Sequence, residues 1–415
     1  MKNLYFRLFC CFISLLMLFI AGMVAVNCIS SASIKNNIHR SAAIINEEGL
    51  YPTTFANKYG TNGFLARDQY TDCLMLNIAA AGDAKEPMRS AILSPCYKGK
   101  YEIDKFPQHL TDLVDGVITP DTNYDWYWHG YLVVLKPLLL FFHYDQIRWI
   151  NCLFMLLAFC FAIMQILKRL GLSYCLITIG TFLAMHFEFV PYTMQYFSVF
   201  FIAIISVAIL LRWREFFDAD NNDIIAFFAV GGITVFVDFL TTPIVSLGIP
   251  LLYYLICYKD KTEKEMLVKT VQLSIAWSVG YAVLWASKWG ICALSFDPSV
   301  IENAMSHADK WAGNGPDFGR WYMTVGVTKK YIMLGYTFNW YWVCILGAIA
   351  VVYLYIKKRL KKANLWMLFI ALYPFVWSII LVNHNYEHFG FTWRMISISM
   401  LAFTLWLYQS IIWKK

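Results

Sequence analysis

Apolar segments long enough to cross a bilayer recur almost end to end along this chain, yet roughly a hundred mostly polar residues, from about Cys28 to about Trp128, separate the first from the second. Inside hydrocarbon every backbone N–H and C=O needs an internal partner, so the apolar segments are expected to be helices. The polar stretch must fold outside the bilayer. Composition agrees: 59% of residues are hydrophobic and 15% charged, against about 45–50% and about 25% in soluble domains. The expected fold class is an all-α polytopic membrane protein whose large first extracytoplasmic loop contains surface helices.

Ten transmembrane helices are expected, over 8–27, 149–167, 172–190, 194–211, 223–241, 244–258, 269–287, 331–356, 365–382 and 395–412. Lys168-Arg169, Arg212 with Arg214, Lys259 with Lys261 and Lys264, and Lys357-Lys358-Arg359 with Lys361-Lys362 fall in alternate loops, and Lys414 and Lys415 fall on the same side. The connections near Pro191 and Pro243 carry neither Lys nor Arg. Lys and Arg collect in cytoplasmic loops, so both termini are expected in the cytoplasm of a multi-pass cell-membrane protein. The chain then divides into an N-terminal helix (1–27), a first extracytoplasmic region (28–148) and helices two to seven (149–287). A second outer loop (288–330) and helices eight to ten (331–415), with a short outer loop at 383–394, complete it. The formal charge of +7 forms no stripe for nucleic acid.

The first apolar run, Leu8 to Val26, is longer than the 7–15 residues of a signal-peptide core, and is expected to be a retained anchor. Seven of the eleven cysteines fall in apolar spans, where thiols act as small hydrophobes. The spacing allows one outer bridge, Cys73–Cys96.

Within the outer region, residues 71–81 fit an amphipathic helix with Leu74, Ile78 and Ala81 on one face. Residues 131–142 are apolar but broken by Lys136 and Pro137. They are too few to cross about 30 Å of hydrocarbon and fit a surface helix. Asp68 and Asp72 stand four apart before the apolar part of the first of these helices. Either serves as an N-terminal cap, a general base or a metal-binding carboxylate. Asp121 to Tyr131 packs Asp125, His129 and several rings together. Trp and Tyr offer flat faces to a sugar or a lipid headgroup; the competing role is an interfacial aromatic belt. His384 and His388, with Glu387 between them, could share a metal, although the order is not HExxH. Arg394 opens the last span, where a guanidinium can grip a phosphate or simply snorkel. Lys288 belongs to the second outer loop, whose Gly313, Gly315, Pro316 and Gly319 suggest a segment that orders on substrate binding. Arg148, His186, Glu188, Asp238 and Asp317 complete the polar groups expected on that side.

The chain resembles the multi-spanning glycosyltransferases of the GT-C superfamily. The resemblance lies in the single span before a large outer loop, in Trp126-Tyr-Trp-His129-Gly-Tyr-Leu-Val-Val-Leu-Lys-Pro137-Leu-Leu, and in Ile147-Arg148-Trp-Ile-Asn151. Locally it covers about residues 65–170. It implies transfer of a sugar from a polyprenyl-phosphate donor to an acceptor hydroxyl on the extracytoplasmic face, with an acid of the first outer loop as base. No Asp-Asp or Glu-Asp pair follows the first span, so Asp68, Asp72 and Asp125 all stand as candidate bases. It also implies a basic group against the lipid phosphate, with Arg394 and Lys288, then His384 and His388, as candidates. His129 and Arg148 join them as substrate-binding residues.

The phosphate would leave among cations, while a carboxylate takes the acceptor's proton in one inverting displacement. A divalent cation is compatible with this chemistry, and the acceptor would be a glycan, a lipid or a cell-wall polymer. A lipid-linked polysaccharide ligase or polymerase shares the same donor. A transporter would show paired broken helices in two related halves, and no internal repeat is visible.

Overall fold

The computed structural model describes residues 2–53, 57, 63–99, 105–258, 260–314, 319–359 and 364–411. Lys259, Gly315, Pro316, Asp317, Lys361, Lys362, Lys414 and Lys415 lie outside these residues. The described chain is helical nearly throughout, with one two-stranded pairing of Pro95–Cys96 (β1) against Thr122–Asn123 (β2).

Helix α1 (Lys2–Asn27) is followed by α2 (Ser31–Glu48), α3 (Gln69–Ala81), α4 (Pro87–Leu93), α5 (Phe106–Asp115) and α6 (Leu132–Leu138). The main helical body comprises α7 (Tyr144–Arg169), α8 (Leu172–Ala184), α9 (Met194–Arg212), α10 (Asn222–Val237), α11 (Val245–Ile256) and α12 (Glu263–Ser295). The remaining helices are α13 (Val300–Asp309), α14 (Arg320–Thr337), α15 (Trp340–Ile356), α16 (Leu365–Ala371), α17 (Tyr373–Ile380), α18 (Val382–Glu387) and α19 (Ile396–Ser410).

Among the described residues five helices are long and apolar enough to cross a membrane: α1, α7, α9, α12 and the run Phe389–Ser410 that ends in α19. The pair α14 and α15 makes a sixth if counted as one span, bent by 87°. The chain is thus an all-α, multi-pass protein. The other four expected spans are shorter apolar helices: α8, α10, α11 and the stretch Leu365–Ile380. At 1.5 Å per residue, 12 to 16 residues cover about 18–24 Å, short of the roughly 30 Å core. Three of them stop or break beside polar or proline residues, at Asp238, near Pro243 and at Pro374.

Helices α10 and α12 approach closely through two glycines. A Cβ on Gly231 would strike the Trp277 carbonyl, and one on Gly280 the Phe228 carbonyl. Small residues of this kind let helix backbones meet where the hydrophobic effect gives no drive.

The stretch between α1 and α7 forms an outer unit, outside the bundle and over one end of it. Helix α2 starts at Ser30, whose hydroxyl accepts from Ser33 N at 3.3 Å, and buries Ile34, Ile38, Ala42 and Ile45. Helix α3 forms where expected but is not amphipathic: Asp72 through Ala80 are all buried, because α2, α5 and the bundle enclose it. Asn77 acts as a strand substitute, donating to Tyr97 O and accepting from Tyr97 N, both at 3.0 Å. Cys73 and Cys96 are buried free thiols, so the bridge that the spacing allows is not formed. The unit is clamped to α12 by indole donors: Trp128 Nε1 to Leu284 O at 2.8 Å, and Trp285 and Trp289 Nε1 to Trp126 O at 2.6 and 3.0 Å.

The opposite end of the bundle has a different character. Arg169 pairs with Glu215, Arg214 with Asp218, and Lys269 with Asp223. Arg7 reaches Asp220 O at 2.7 Å.

Candidate functional site

The acids of the sequence analysis have distinct surroundings. Asp68 is the N-cap of α3: its carboxylate accepts from Thr71 N at 3.0 Å and Thr71 Oγ1 at 2.7 Å. Asp72, one turn later, is fully buried. It accepts from Tyr144 Oη at 2.6 Å, Met194 N at 3.2 Å and Gln195 N at 3.1 Å. It therefore caps α9 from outside, using backbone donors that helix geometry leaves open. Burial pushes the Asp72 carboxyl up to about 7; Asp68 adds to the shift and the three hydrogen bonds oppose it. Oδ1 carries only the Gln195 bond among the described residues, so a lone pair is left for a proton.

Asp125 lies elsewhere, on the seam with α12. Its Oδ2 accepts from Cys292 Sγ at 3.7 Å, and burial raises its carboxyl while Lys288 pulls it down. Lys288 is fully buried, donates to Ala91 O at 3.3 Å and to Ile92 O, and lies 5.5 Å from the Trp128 ring. It thus satisfies carbonyls near the end of α4. His129 is walled in by rings, with Phe239 at 5.0 Å and Tyr124 at 5.1 Å. Its Nε2 pairs with Tyr124 O at 2.7 Å, and burial drives its imidazole down to about 3. It is a neutral packing element whose positive φ of 55° turns the chain so that Gly130 N reaches Phe236 O at 2.7 Å.

Arg148 holds the foot of the outer unit. It bonds both oxygens of Glu48 at 2.9 and 3.1 Å, Asp145 at 2.7 Å and Gln69 Oε1 at 3.2 Å. Arg67 joins Glu48 at 3.1 Å. Glu48 was missed by sequence reasoning, although Glu47-Glu48 is an adjacent acidic pair after the first span.

Arg394 is buried, with its guanidinium 4.5 Å from the Tyr196 ring and 4.8 Å from Trp393. Nη1 donates to Gly390 O at 3.2 Å, and among the described residues Nε has no hydrogen-bond partner. Tyr196 directly follows Gln195, whose backbone N–H donates to Asp72, so the ring beneath Arg394 stands in the helix turn that Asp72 caps. Tyr196 also packs on Phe391 at 6.1 Å, and Phe391 on His388 at 5.2 Å and His384 at 6.1 Å. Both imidazoles meet Trp311 of the second outer loop, at 5.1 and 5.3 Å. Burial pushes His384 well below its ordinary range, and His388 down as well.

The three regions outside the bundle thus meet in one seam at the start of α9: Asp72 caps it, Tyr196 in its first turn packs on Arg394 and Phe391, and Phe391 leads to His384, His388 and Trp311. Asp125 and Lys288 form a separate cluster with Cys292. Tyr196 and Trp311 were not singled out from sequence, since a ring inside an apolar span or a glycine-rich loop carries no local signal. Glu387 accepts from Asn383 at 3.1 Å. Among the described residues no group of three or more His, Cys, Asp and Glu side chains is placed to hold a metal ion. Compared with protein-family profiles, curated proteins and solved structures, the chain finds no match.

Proposed function

We propose that this protein is a membrane glycosyltransferase of GT-C type. It moves a sugar from a polyprenyl-phosphate donor to an acceptor hydroxyl on the extracytoplasmic face. The observation that carries the reading is the first turn of α9, where the buried Asp72 carboxylate accepts from Met194 N and Gln195 N and the next residue, Tyr196, lies 4.5 Å from the buried Arg394 guanidinium. A proton acceptor near neutrality and a cation for a leaving phosphate are the two groups that an inverting transfer needs. Asp72 is the base in this reading because its carboxyl lies near neutrality; Asp68 caps α3, and Asp125 sits in the Cys292 cluster. His384 and His388 line the donor side, while Arg148, His129 and Lys288 hold the outer unit in place.

Ten crossings, four of them short apolar helices, and cytoplasmic termini belong to the same proposal. Its support is the positive loop pattern together with the segregation of the seam and the Arg169, Arg214 and Lys269 ion pairs to different ends of the bundle. Donors and acceptors would be membrane lipids and envelope glycans.

The test is a reconstituted assay with a panel of polyprenyl-phosphate sugars. Asp72→Asn is expected to lower turnover by about 10²–10⁴-fold, and Arg394→Ala to weaken donor use strongly. Full turnover in both variants sinks the site. Substrate flux without glycosyl product would favour a transporter instead.

A further inference from the structure

Buried polar atoms without partners concentrate where α9 meets the last outer loop. Among the described residues Gln195 Oε1, His384 Nδ1, Asn385 Oδ1, Thr392 Oγ1, Arg394 Nε and Ser397 Oγ all lack a hydrogen-bond partner, and all six residues are at most 5% exposed. Buried polar groups are ordinarily satisfied. Six open ones in two segments joined by the Arg394–Tyr196 and Tyr196–Phe391 contacts mark a place built for a polar occupant. The Asn385 amide is oriented by its own donor, which is bonded to Leu381 O at 2.9 Å, so its oxygen is left to accept.

The inventory defines that occupant. Two amide oxygens require donors from it; a guanidinium N–H requires an acceptor; two hydroxyls and the His384 imidazole nitrogen serve either way. A hydroxyl group offers both roles at every position. Tyr196, Phe391 and Trp311 supply flat apolar walls. The nearby charges are already engaged. Lys330 donates to Tyr386 O, Lys310 lies over the Trp311 ring, and the Asp68 and Asp72 carboxylates are held by Thr71 and by Tyr144, Met194 and Gln195. Arg394 is the single cation among the six.

We infer that this cluster is the glycosyl subsite and that it takes a neutral, polyhydroxylated sugar, with no carboxylate or amine on the ring. The inference rests on the transferase reading for its role, but the binding preference can be measured without it. Equilibrium binding of glucose 1-phosphate, glucuronic acid 1-phosphate and glucosamine 1-phosphate to the purified full chain is the first measurement. The neutral probe is expected to bind at least tenfold more tightly than either charged one. Asn385→Leu and Gln195→Leu should each erase about tenfold of that affinity, while Asn385→Asp, nearly isosteric, should gain affinity for the amino sugar. Thermal unfolding identifies any variant that fails to fold. The second measurement is turnover with the matching polyprenyl-phosphate donors, where the Leu variants should raise KM and spare kcat. Equal or tighter binding of the uronate, or unchanged binding in all three variants, overturns the subsite. Selective binding of the neutral probe with no glycosyl product from any donor keeps the subsite and overturns the transferase reading.

Discussion

The Tyr144 hydroxyl donates to Asp72 Oδ2 at 2.6 Å, from the first turn of one long apolar helix to a carboxylate that caps another. The bond ties the outer unit to two helices of the bundle at one point. Tyr144→Phe removes the donor and leaves the ring. It is expected to cost about 1.5–3 kcal/mol, as for hydrogen bonds to charged groups, read as thermal unfolding in detergent. It should also raise the pH at which Asp72 ionises, because that bond favours the carboxylate. An unchanged pH–rate profile would count against Asp72 as the base.

The pH dependence of stability follows from the same residue. The Asp72 carboxyl sits at about 7 in the fold against 3.8 in the free residue. Between those values the folded chain binds more protons than the unfolded one, so stability falls as pH rises. The contribution is complete below the lower value and is lost as pH climbs through the upper one. Comparing unfolding at about pH 5 and about pH 8, wild type should lose stability that Asp72→Asn keeps.

Glu48 and Arg148 make a two-toothed pair at 2.9 and 3.1 Å. Glu48→Gln leaves a buried guanidinium with reduced compensation and is expected to destabilise by about 2–3 kcal/mol. Arg148→Lys should not rescue the fork geometry, because an ammonium cannot bond two carboxylate oxygens in one plane. Proteolysis of the outer unit in intact membranes would report the loosening.

The glycine contacts between α10 and α12 separate sharply from other glycines on the same helix. Gly280→Ala puts a methyl against the Phe228 carbonyl, which is backbone and cannot step aside. The expected cost is about 1–3 kcal/mol, as for overpacking. Gly290→Ala on α12 meets nothing within 4 Å and should be neutral or slightly stabilising. Equal melting temperatures for the two variants would disprove the close approach.

How much was legible varies by element. The long apolar helices α1, α7, α9 and α12 follow from hydropathy, which needs no partner. The Asp68 cap was readable from its place just before an apolar run. Helix α2 was passed over because it carries many polar residues, although Ile34, Ile38, Ala42 and Ile45 repeat at spacings of four and three. Helix α3 was seen, but its burial on all sides was not, since periodicity reports one partner face and α3 has several. Lys288 looked like a free cation at a loop; its ammonium is spent on the Ala91 and Ile92 carbonyls. That contact spans nearly two hundred residues of sequence and leaves no local trace.

By itself the sequence determined that the chain is all-helical and multi-pass, with a large polar region gathered outside the bundle. Burial of apolar surface and internal backbone pairing depend on composition and spacing alone. Only the tertiary structure decided that Asp72 caps the helix whose first turn holds Tyr196, and that the Tyr196 ring lies under Arg394. Asp72, Tyr196 and Arg394 lie more than a hundred residues apart pairwise, and this arrangement depends on how helices cross and where a backbone end needs a cap. It also separated Asp125 and Lys288 from that seam, because each found a nearer partner in the wall between α4 and α12.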